Sequence, residues 1–160
     1  MPLFAWKSEY SVGMEVLDEH HKKLFSLLNQ LYESTMHSKK VNNLPIIIND
    51  LREYTEYHFL AEERYMRSNG FPDTDGHISK HRDFKRRIES LDAQCRADDL
   101  EVTRELIIVL GSWLLHHVLE EDRRYSIMKK DDDQWANTQT NTRQLRLTNW
   151  LSRTATRCWP

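Results

Sequence analysis

Apolar residues along this chain recur at alternating steps of three and four positions, the spacing that places them on one face of a helix. The first stripe predicts a helix from Asp18, as its N-cap, to about His37. Its inward positions are Leu17, His21, Leu24, Leu28 and Leu31. Similar stripes predict further helices over about 44–68, 75–96 and 101–129. Four helices joined by short connections predict an all-α, up-down-up-down four-helix bundle.

The two ends of the chain lack such a stripe. The segment before the first helix carries Phe4, Trp6 and Tyr10 and predicts an N-terminal arm that packs over the bundle. The C-terminal part becomes polar and predicts a linker. Four apolar residues beyond that linker could form a short terminal helix: Leu145, Leu147, Trp150 and Leu151. The predicted organisation is one four-helix domain over 1–130, followed by an extension over 131–160.

Charge and composition narrow the class of partner. The chain has 23 lysines and arginines against 25 acidic residues, a net charge of −2, which gives no basic footprint for nucleic acid. No apolar run approaches the roughly 20 residues of a membrane span, and the N-terminus lacks the pattern of a secretory signal. Cys95 and Cys158 stand far apart and fit a reducing compartment. We therefore expect a cytoplasmic protein with neither nucleic acid nor membrane as partner.

Histidines and carboxylates occupy inward positions on the predicted helices. His58 and Glu62 lie four residues apart, so both side chains project from one helix face. The same spacing joins His77 to His81, and His117 lies on the fourth helix. Burying these groups without a shared partner would cost about 1–3 kcal/mol for each unsatisfied group. A metal centre removes that cost, and the number of donors suits two bridged ions.

Two positions in this donor set have alternatives. His20 and His21 are adjacent, and helical phase favours His21 because it aligns with the apolar stripe. On the fourth helix, Glu121 is the better-placed carboxylate by spacing, since it follows His117 by four residues. His20 is expected at the surface or beside the ligands. Two further histidines are expected to be ordinary hydrogen-bonded core residues: His37 and His116. No thiolate belongs to the set, which argues against a structural zinc site.

Taken together, the donors resemble the hemerythrin family, of the single-domain bacteriohemerythrin type. The likeness rests on His21, His58-xxx-Glu62, His77-xxx-His81 and His117-xxxx-Asp122, with Trp6 ahead of the first helix and Phe71-Pro72 before the third. It covers about residues 6–128. In the family pattern the carboxylate of the fourth helix follows the histidine by five positions, and this pattern selects Asp122 where spacing alone favours Glu121.

The resemblance implies a non-haem di-iron centre, in which an oxo or hydroxo bridge joins two iron ions. The implied ligands of one iron are His77, His81 and His117, and those of the other are His21 and His58. Glu62 and Asp122 are the implied bridging carboxylates. One coordination position of the second iron then stays open, and dioxygen is the expected ligand there.

The apolar neighbours of these ligands are expected to form a dry dioxygen pocket: Leu24, Phe59, Trp113, Leu114 and Val118. Tyr125 is a candidate hydrogen-bond donor to a ligand. The expected function is reversible dioxygen binding for carriage, storage or sensing, and not enzymatic turnover. Two alternatives stay open. One is an oxygen- or redox-sensing input domain that reaches a downstream effector through the C-terminal tail, and the other is a di-iron enzyme acting on peroxide or nitric oxide.

Overall fold

The architecture is a bundle of four long helices. The computed structural model describes residues 2–37, 44–96 and 100–127, and it contains no strand within those ranges. Helix α1 spans Glu15–His37, α2 spans Leu44–Ser68, α3 spans Thr74–Arg96, and α4 spans Leu100–His116. A π-helical segment over His117–Asp122 and a short helix α5 over Arg123–Ser126 continue α4. The prediction of an all-α four-helix bundle is confirmed.

Each helix packs against its neighbours in the sequence, and α1 also packs against α4, which closes the ring. The turn between α2 and α3 shows how short connections fix this order. Gly70 has a φ of 66°, which a residue with a side chain rarely adopts, and it ends α2. The Phe71 amide then donates to the Met66 carbonyl at 2.9 Å, so α2 stops where the Asn69-Gly70 pair predicts.

The apolar stripe of α1 forms its part of the core as predicted. Leu17, Leu24 and Leu28 are fully buried. On α2 most positions of the inward face that the apolar spacing predicts are buried, but at two of them, Ile47 and Tyr54, burial is shifted by one residue. Those two side chains are only half-buried, whereas Ile48 and Thr55 are buried. A helix face about 100° wide accommodates both phases, so the apolar pattern alone does not decide between them.

The prediction of Asp18 as N-cap is wrong, because α1 begins earlier, at Glu15. The Asp18 carboxylate accepts hydrogen bonds from the Val12 amide at 2.8 Å and from the Ser11 hydroxyl at 2.5 Å. It therefore holds the N-terminal arm against the first turn of the helix. Gly13 lies within this connection with a φ of 75° and lets the chain turn there.

The N-terminal arm packs over the bundle, as the sequence predicts. The Asn29 side chain accepts a hydrogen bond from the Phe4 amide at 2.9 Å and donates one to the Phe4 carbonyl at 2.7 Å. The Phe4 ring lies so close to Gly111 of α4 that a Cβ there would overlap it. Further along the arm, the Trp6 ring stacks on His21 with 6.5 Å between ring centroids. The arm thus covers one end of the buried histidines.

The fourth helix is not the single α-helix over 101–129 that its stripe predicts. Its hydrogen-bonding pattern changes to π-helical over His117–Asp122 and returns to α-helical at Arg123. In a π-helix the bonded residues are five apart, so residues five apart approach the same face. The linker and terminal helix predicted after residue 130 lie outside the described residues, and the boundary there stays a prediction. None of the described helices is long and apolar enough to cross a membrane.

Candidate metal centre

Seven buried polar side chains from all sides of the bundle meet at its centre. Each is at most 1% exposed: His21, His58, Glu62, His77, His81, His117 and Asp122. We call His77, His81 and His117 the three-histidine group, and His21 and His58 the two-histidine group. All five imidazoles turn Nε2 toward the carboxylates. Helices α1, α2 and α3 and the π-helical segment each contribute at least one donor.

The two oxygens of Glu62 face different histidine groups. Oε1 lies 3.4 Å from Nε2 of His21 and 3.4 Å from Nε2 of His58. Oε2 lies 3.2 Å from Nε2 of His81 and 3.9 Å from Nε2 of His77. One carboxylate therefore spans both groups.

Asp122 divides its oxygens in the same way. Oδ2 lies 3.2 Å from Nε2 of His21. Oδ1 lies 3.3 Å from Nε2 of His77 and 3.1 Å from Nε2 of His117. The two histidine groups are thus joined by two carboxylates, each of which presents one oxygen to either side.

These donor atoms are close together but are mostly not hydrogen-bonded to one another. Within the described ranges, Nε2 of His58, Nε2 of His77, Oε2 of Glu62 and both oxygens of Asp122 are buried without a hydrogen-bond partner. Buried polar atoms are rarely left in this state. Two ligands at about 2.1 Å from one ion, at right angles to each other, lie about 3 Å apart. Most of the facing nitrogen and oxygen atoms are 3.1–3.4 Å apart, and several of them have lone pairs that accept no hydrogen bond. Both observations fit two bound metal ions.

The charges of the metal-free centre follow from its geometry. Burial opposes ionisation of both carboxylates, but the surrounding imidazoles outweigh it and hold the pKa of Glu62 and of Asp122 well below the usual range. Burial likewise opposes protonation of His21 and His77, yet the adjacent carboxylates of Asp122 and Glu62 stabilise the imidazolium form and raise the pKa of each to about 9. Burial dominates at His58, whose pKa is lowered well below its usual value. Without metal, two imidazolium ions therefore balance two carboxylates.

This balance predicts a pH dependence for the metal-free protein. The folded-state pKa of His21 and His77 is about 9, against 6.5 for an unperturbed histidine. Their contribution to stability is therefore complete below pH 6.5 and is lost as the pH rises through about 9. We expect the melting temperature of the metal-free protein to fall by roughly 10 °C across that window. Thermal denaturation followed by circular dichroism at several pH values measures this.

The metal-loaded protein serves as the control for that titration. Metal binding requires deprotonated imidazoles, so alkaline pH should not weaken the loaded protein in the same window. A metal-free protein whose melting temperature is flat between pH 6.5 and 9 would contradict the assigned charges.

The π-helical segment explains which acidic residue of the fourth helix faces the centre. Asp122 follows His117 by five residues, and both side chains are buried in the centre. Glu121, which spacing alone favours, points away and pairs with Lys80 and with Arg124, the latter at 3.1 Å. The geometry therefore agrees with the choice of Asp122 that the resemblance implies, although its role as a ligand remains a prediction.

Of the remaining histidines, the two whose side chains the structure describes do not join the cluster. His20 is buried, with its ring 4.8 Å from that of Tyr57 and 5.7 Å from that of His58, so it lies beside the candidate ligands and not at the surface. His116 is exposed. The prediction of a core role for His116 is therefore wrong, because His116 is the last residue of α4 before the π-helical segment and faces outward. The side chain of His37 lies outside the described part of the molecule.

The residues predicted to form the dioxygen pocket surround the histidines. Leu24, Phe59, Leu114 and Val118 are buried, whereas Trp113 is half-buried. The Phe59 ring stacks on His81 at 3.7 Å between centroids, with 1° between the ring planes. The Trp113 ring stacks on His117 at 4.6 Å. The structure thus provides an apolar lining, and its role in binding dioxygen remains a prediction.

Two further residues contact the donor set. The Tyr125 hydroxyl donates a hydrogen bond to Oε1 of Glu62 at 2.7 Å, in agreement with the sequence prediction of a donor there. Glu63 was not predicted, and its Oε1 lies 3.1 Å from Nδ1 of His81. Its position next to Glu62 is the only sequence signal. Helical phase turns it toward α3, and contact with a histidine on another helix is not visible from the sequence.

Comparisons with known proteins agree with this geometry. The family model described as Hemerythrin HHE cation binding domain matches residues 12–126. A bacteriohemerythrin from Clostridium acetobutylicum is 32% identical over 127 residues, which cover 77% of this chain and 98% of that protein. A bacteriohemerythrin from Stenotrophomonas maltophilia is 27% identical over 159 residues, 98% of either chain. The fold is similar to a crystal structure of wild-type hemerythrin, with a TM-score of 0.71 and 23% identity over 79% of this chain and 97% of that one.

Proposed function

This chain belongs to the hemerythrin family, and on that premise we propose that it binds dioxygen reversibly at a di-iron centre. The three-histidine group would hold one iron and the two-histidine group the other. Glu62 and Asp122 would each give one oxygen to either ion. The role is carriage, storage or sensing of dioxygen, not catalytic turnover, and the proposed location is the cytoplasm.

The observation that carries this proposal is the division of the carboxylate oxygens. A site for one ion would gather its donors around a single point. Here Glu62 and Asp122 each face two separate sets of imidazoles at 3.1–3.4 Å. Five imidazoles and two carboxylates exceed what one ion takes, and this mixture of nitrogen and oxygen donors suits iron.

The uneven number of histidines in the two groups supports gas binding. One ion would be bound by three imidazoles and two carboxylate oxygens, and the other by two imidazoles and two carboxylate oxygens. The second ion would therefore have one protein ligand fewer. When bound there, iron supplies the electrons and the vacant coordination position that dioxygen uptake requires. The protein's own contribution is to direct the Nε2 atoms of its imidazoles toward the ions, to keep both carboxylates ionised and to exclude water.

Tyr125 holds one of the shared carboxylates in place. Its hydroxyl donates to Oε1 of Glu62, the oxygen that faces the two-histidine group. The ring is fully buried, and burial raises the pKa of Tyr125 well above its usual value, so the hydroxyl keeps its proton. The Glu62 carboxylate is thereby fixed in the orientation that reaches both histidine groups.

An oxygen titration tests the proposed function. The purified protein would be reduced under anaerobic conditions, mixed with dioxygen and then purged with argon, while its absorption spectrum is recorded. We expect a new visible and near-ultraviolet absorption on mixing, and its loss on purging. Irreversible oxidation after the first exposure, or rapid turnover of added peroxide or nitric oxide, would favour an enzyme.

Leu114→Ala is expected to speed the spontaneous oxidation of the oxygenated protein. Leu114 is fully buried, and its truncation opens a cavity that lets water and protons approach the irons. The measurement is the rate at which the oxygenated spectrum decays, and we expect an increase of about tenfold, or 1.4 kcal/mol in the barrier. Ile108→Ala removes a 42% exposed residue from the same helix and should leave the rate unchanged. Equal rates in both variants would count against a dry pocket.

A further inference from the structure

One of the five central imidazoles differs from the others in what its second nitrogen contacts. Nδ1 of His81 lies 3.1 Å from Oε1 of Glu63, whose side chain is 12% exposed. Within the described residues, the Nδ1 atom of each of the other four rings has no hydrogen-bond partner: His21, His58, His77 and His117. A carboxylate therefore supports one member of the three-histidine group and none of the two-histidine group.

This contact decides which nitrogen of His81 carries the proton. A carboxylate only accepts hydrogen bonds, so the ring must place its proton on Nδ1 and donate it to Glu63. Nε2 is then left with a free lone pair, and it is the nitrogen that faces Glu62 at 3.2 Å. The negative charge of the carboxylate also makes Nε2 a stronger electron donor to a metal ion.

The ring plane of His81 is fixed from a second direction. Phe59 stacks on it face to face, with 3.7 Å between centroids and 1° between planes. Stacking restrains the tilt of the ring plane, and the hydrogen bond to Glu63 restrains the position of the ring edge that carries Nδ1. The two contacts together define where Nε2 points.

We propose that Glu63 is a positioning residue for the metal centre, which acts through His81 to strengthen the iron site of the three-histidine group. The inference rests on the proposed di-iron function and extends it, because it makes the two irons unequal in affinity. The iron of the three-histidine group is held more tightly, and the iron of the two-histidine group is the one that leaves first.

Glu63 could also act only as a structural link between α2 and α3. A matched control variant distinguishes that role from the proposed positioning role. Glu56 lies seven residues earlier, on the same face of α2, and forms an ion pair with Lys85 of α3. Its side chain is 51% exposed, and neither residue of the pair belongs to the donor set. Glu56→Gln therefore removes an α2–α3 ion pair and one negative charge without touching His81.

The test measures iron affinity directly. Metal-free wild type, Glu63→Ala, Glu63→Gln and Glu56→Gln would be loaded with ferrous iron alone under anaerobic conditions and titrated with a competing chelator. In Glu63→Ala we expect one of the two irons to bind about 10- to 100-fold more weakly, the range typical of partners that orient a metal ligand. Glu63→Gln should lose less, because its amide oxygen still accepts the Nδ1 proton but carries no charge. Glu56→Gln should match the wild type.

The outcomes distinguish this inference from the function on which it rests. If the wild type binds two irons and both Glu63 variants bind them as tightly, the role of Glu63 is refuted and the di-iron function stands. If Glu56→Gln weakens iron binding as much as Glu63→Ala, the effect is one of helix packing, which also refutes it. A wild-type chain that takes up no iron overturns both. Circular dichroism of the metal-free variants checks that each is folded.

Discussion

Asp122→Asn is expected to reduce the iron content of the purified protein from two per chain to about one or fewer. Asparagine has the same shape as aspartate but no negative charge, and its amide nitrogen has no lone pair to offer a metal ion. One side of the centre loses its oxygen donor, because Oδ2 faces His21 while Oδ1 faces His77 and His117, and both sides lose the negative charge that they share. Iron analysis by mass spectrometry, normalised to protein concentration, measures the result.

Glu121→Gln is the matched control for this prediction. It makes the same chemical change one residue earlier in the chain, at the carboxylate that helical spacing alone would select. Glu121 pairs with Lys80 and Arg124 on the outside of the bundle. Partly exposed ion pairs contribute about 1 kcal/mol or less, so iron content should stay at two per chain. The opposite result, with iron lost from Glu121→Gln and kept in Asp122→Asn, would show that the π-helical segment has been misassigned.

His58→Ala is expected to abolish dioxygen binding and to release the iron of the two-histidine group. His58 is one of only two imidazoles on that side, and its Nε2 is buried without a hydrogen-bond partner. Its removal leaves His21 as the remaining imidazole of the two-histidine group. The cavity costs about 1–3 kcal/mol of stability, so the protein should still fold. Iron analysis should find about one iron per chain, and the reversible oxygen spectrum should be absent.

His116→Ala provides the comparison for that variant. His116 immediately precedes His117 but is exposed. Its replacement should change neither iron content nor the oxygen spectrum. If both histidine variants kept two irons, the two-histidine group would not be a metal site.

The helices and most of the donor residues could be predicted from the sequence because each depends on local periodicity. The helix over 44–68 has the bounds Leu44–Ser68 that its stripe, the Asn69-Gly70 pair and the position of Pro45 indicate. His58 and Glu62 follow from a spacing of four residues on one face. Such features need no knowledge of the neighbouring helices.

The π-helical segment could not be predicted from periodicity. It determines which of two neighbouring acidic residues faces the centre of the bundle. A rule based on 3.6 residues per turn turns Glu121 inward and Asp122 outward. The single wider turn over His117–Asp122 reverses both. Such a turn is stabilised by tertiary contacts at a functional site and not by local propensity. Only the likeness to a known family indicated Asp122 before the structure.

Residues whose position depends on a neighbouring element were either missed or, in the case of His20, left with two possible locations. Asp18 is a good N-cap by type, but it bonds the arm at Val12 instead. Glu63 reaches His81 across the α2–α3 interface. The burial of His20 depends on the Tyr57 and His58 rings of α2. Helical spacing does not predict any of these contacts, because each joins two separate segments of the chain.

Anomalous diffraction at the iron absorption edge tests the central claim most directly. Crystals of the aerobically purified protein should show two separate peaks, one enclosed by the Nε2 atoms of His77, His81 and His117 and the other by those of His21 and His58. Both peaks should lie within bonding distance of Glu62 and Asp122. A single peak, or a centre without iron in which the imidazoles bond only to the carboxylates and to water, would contradict the account.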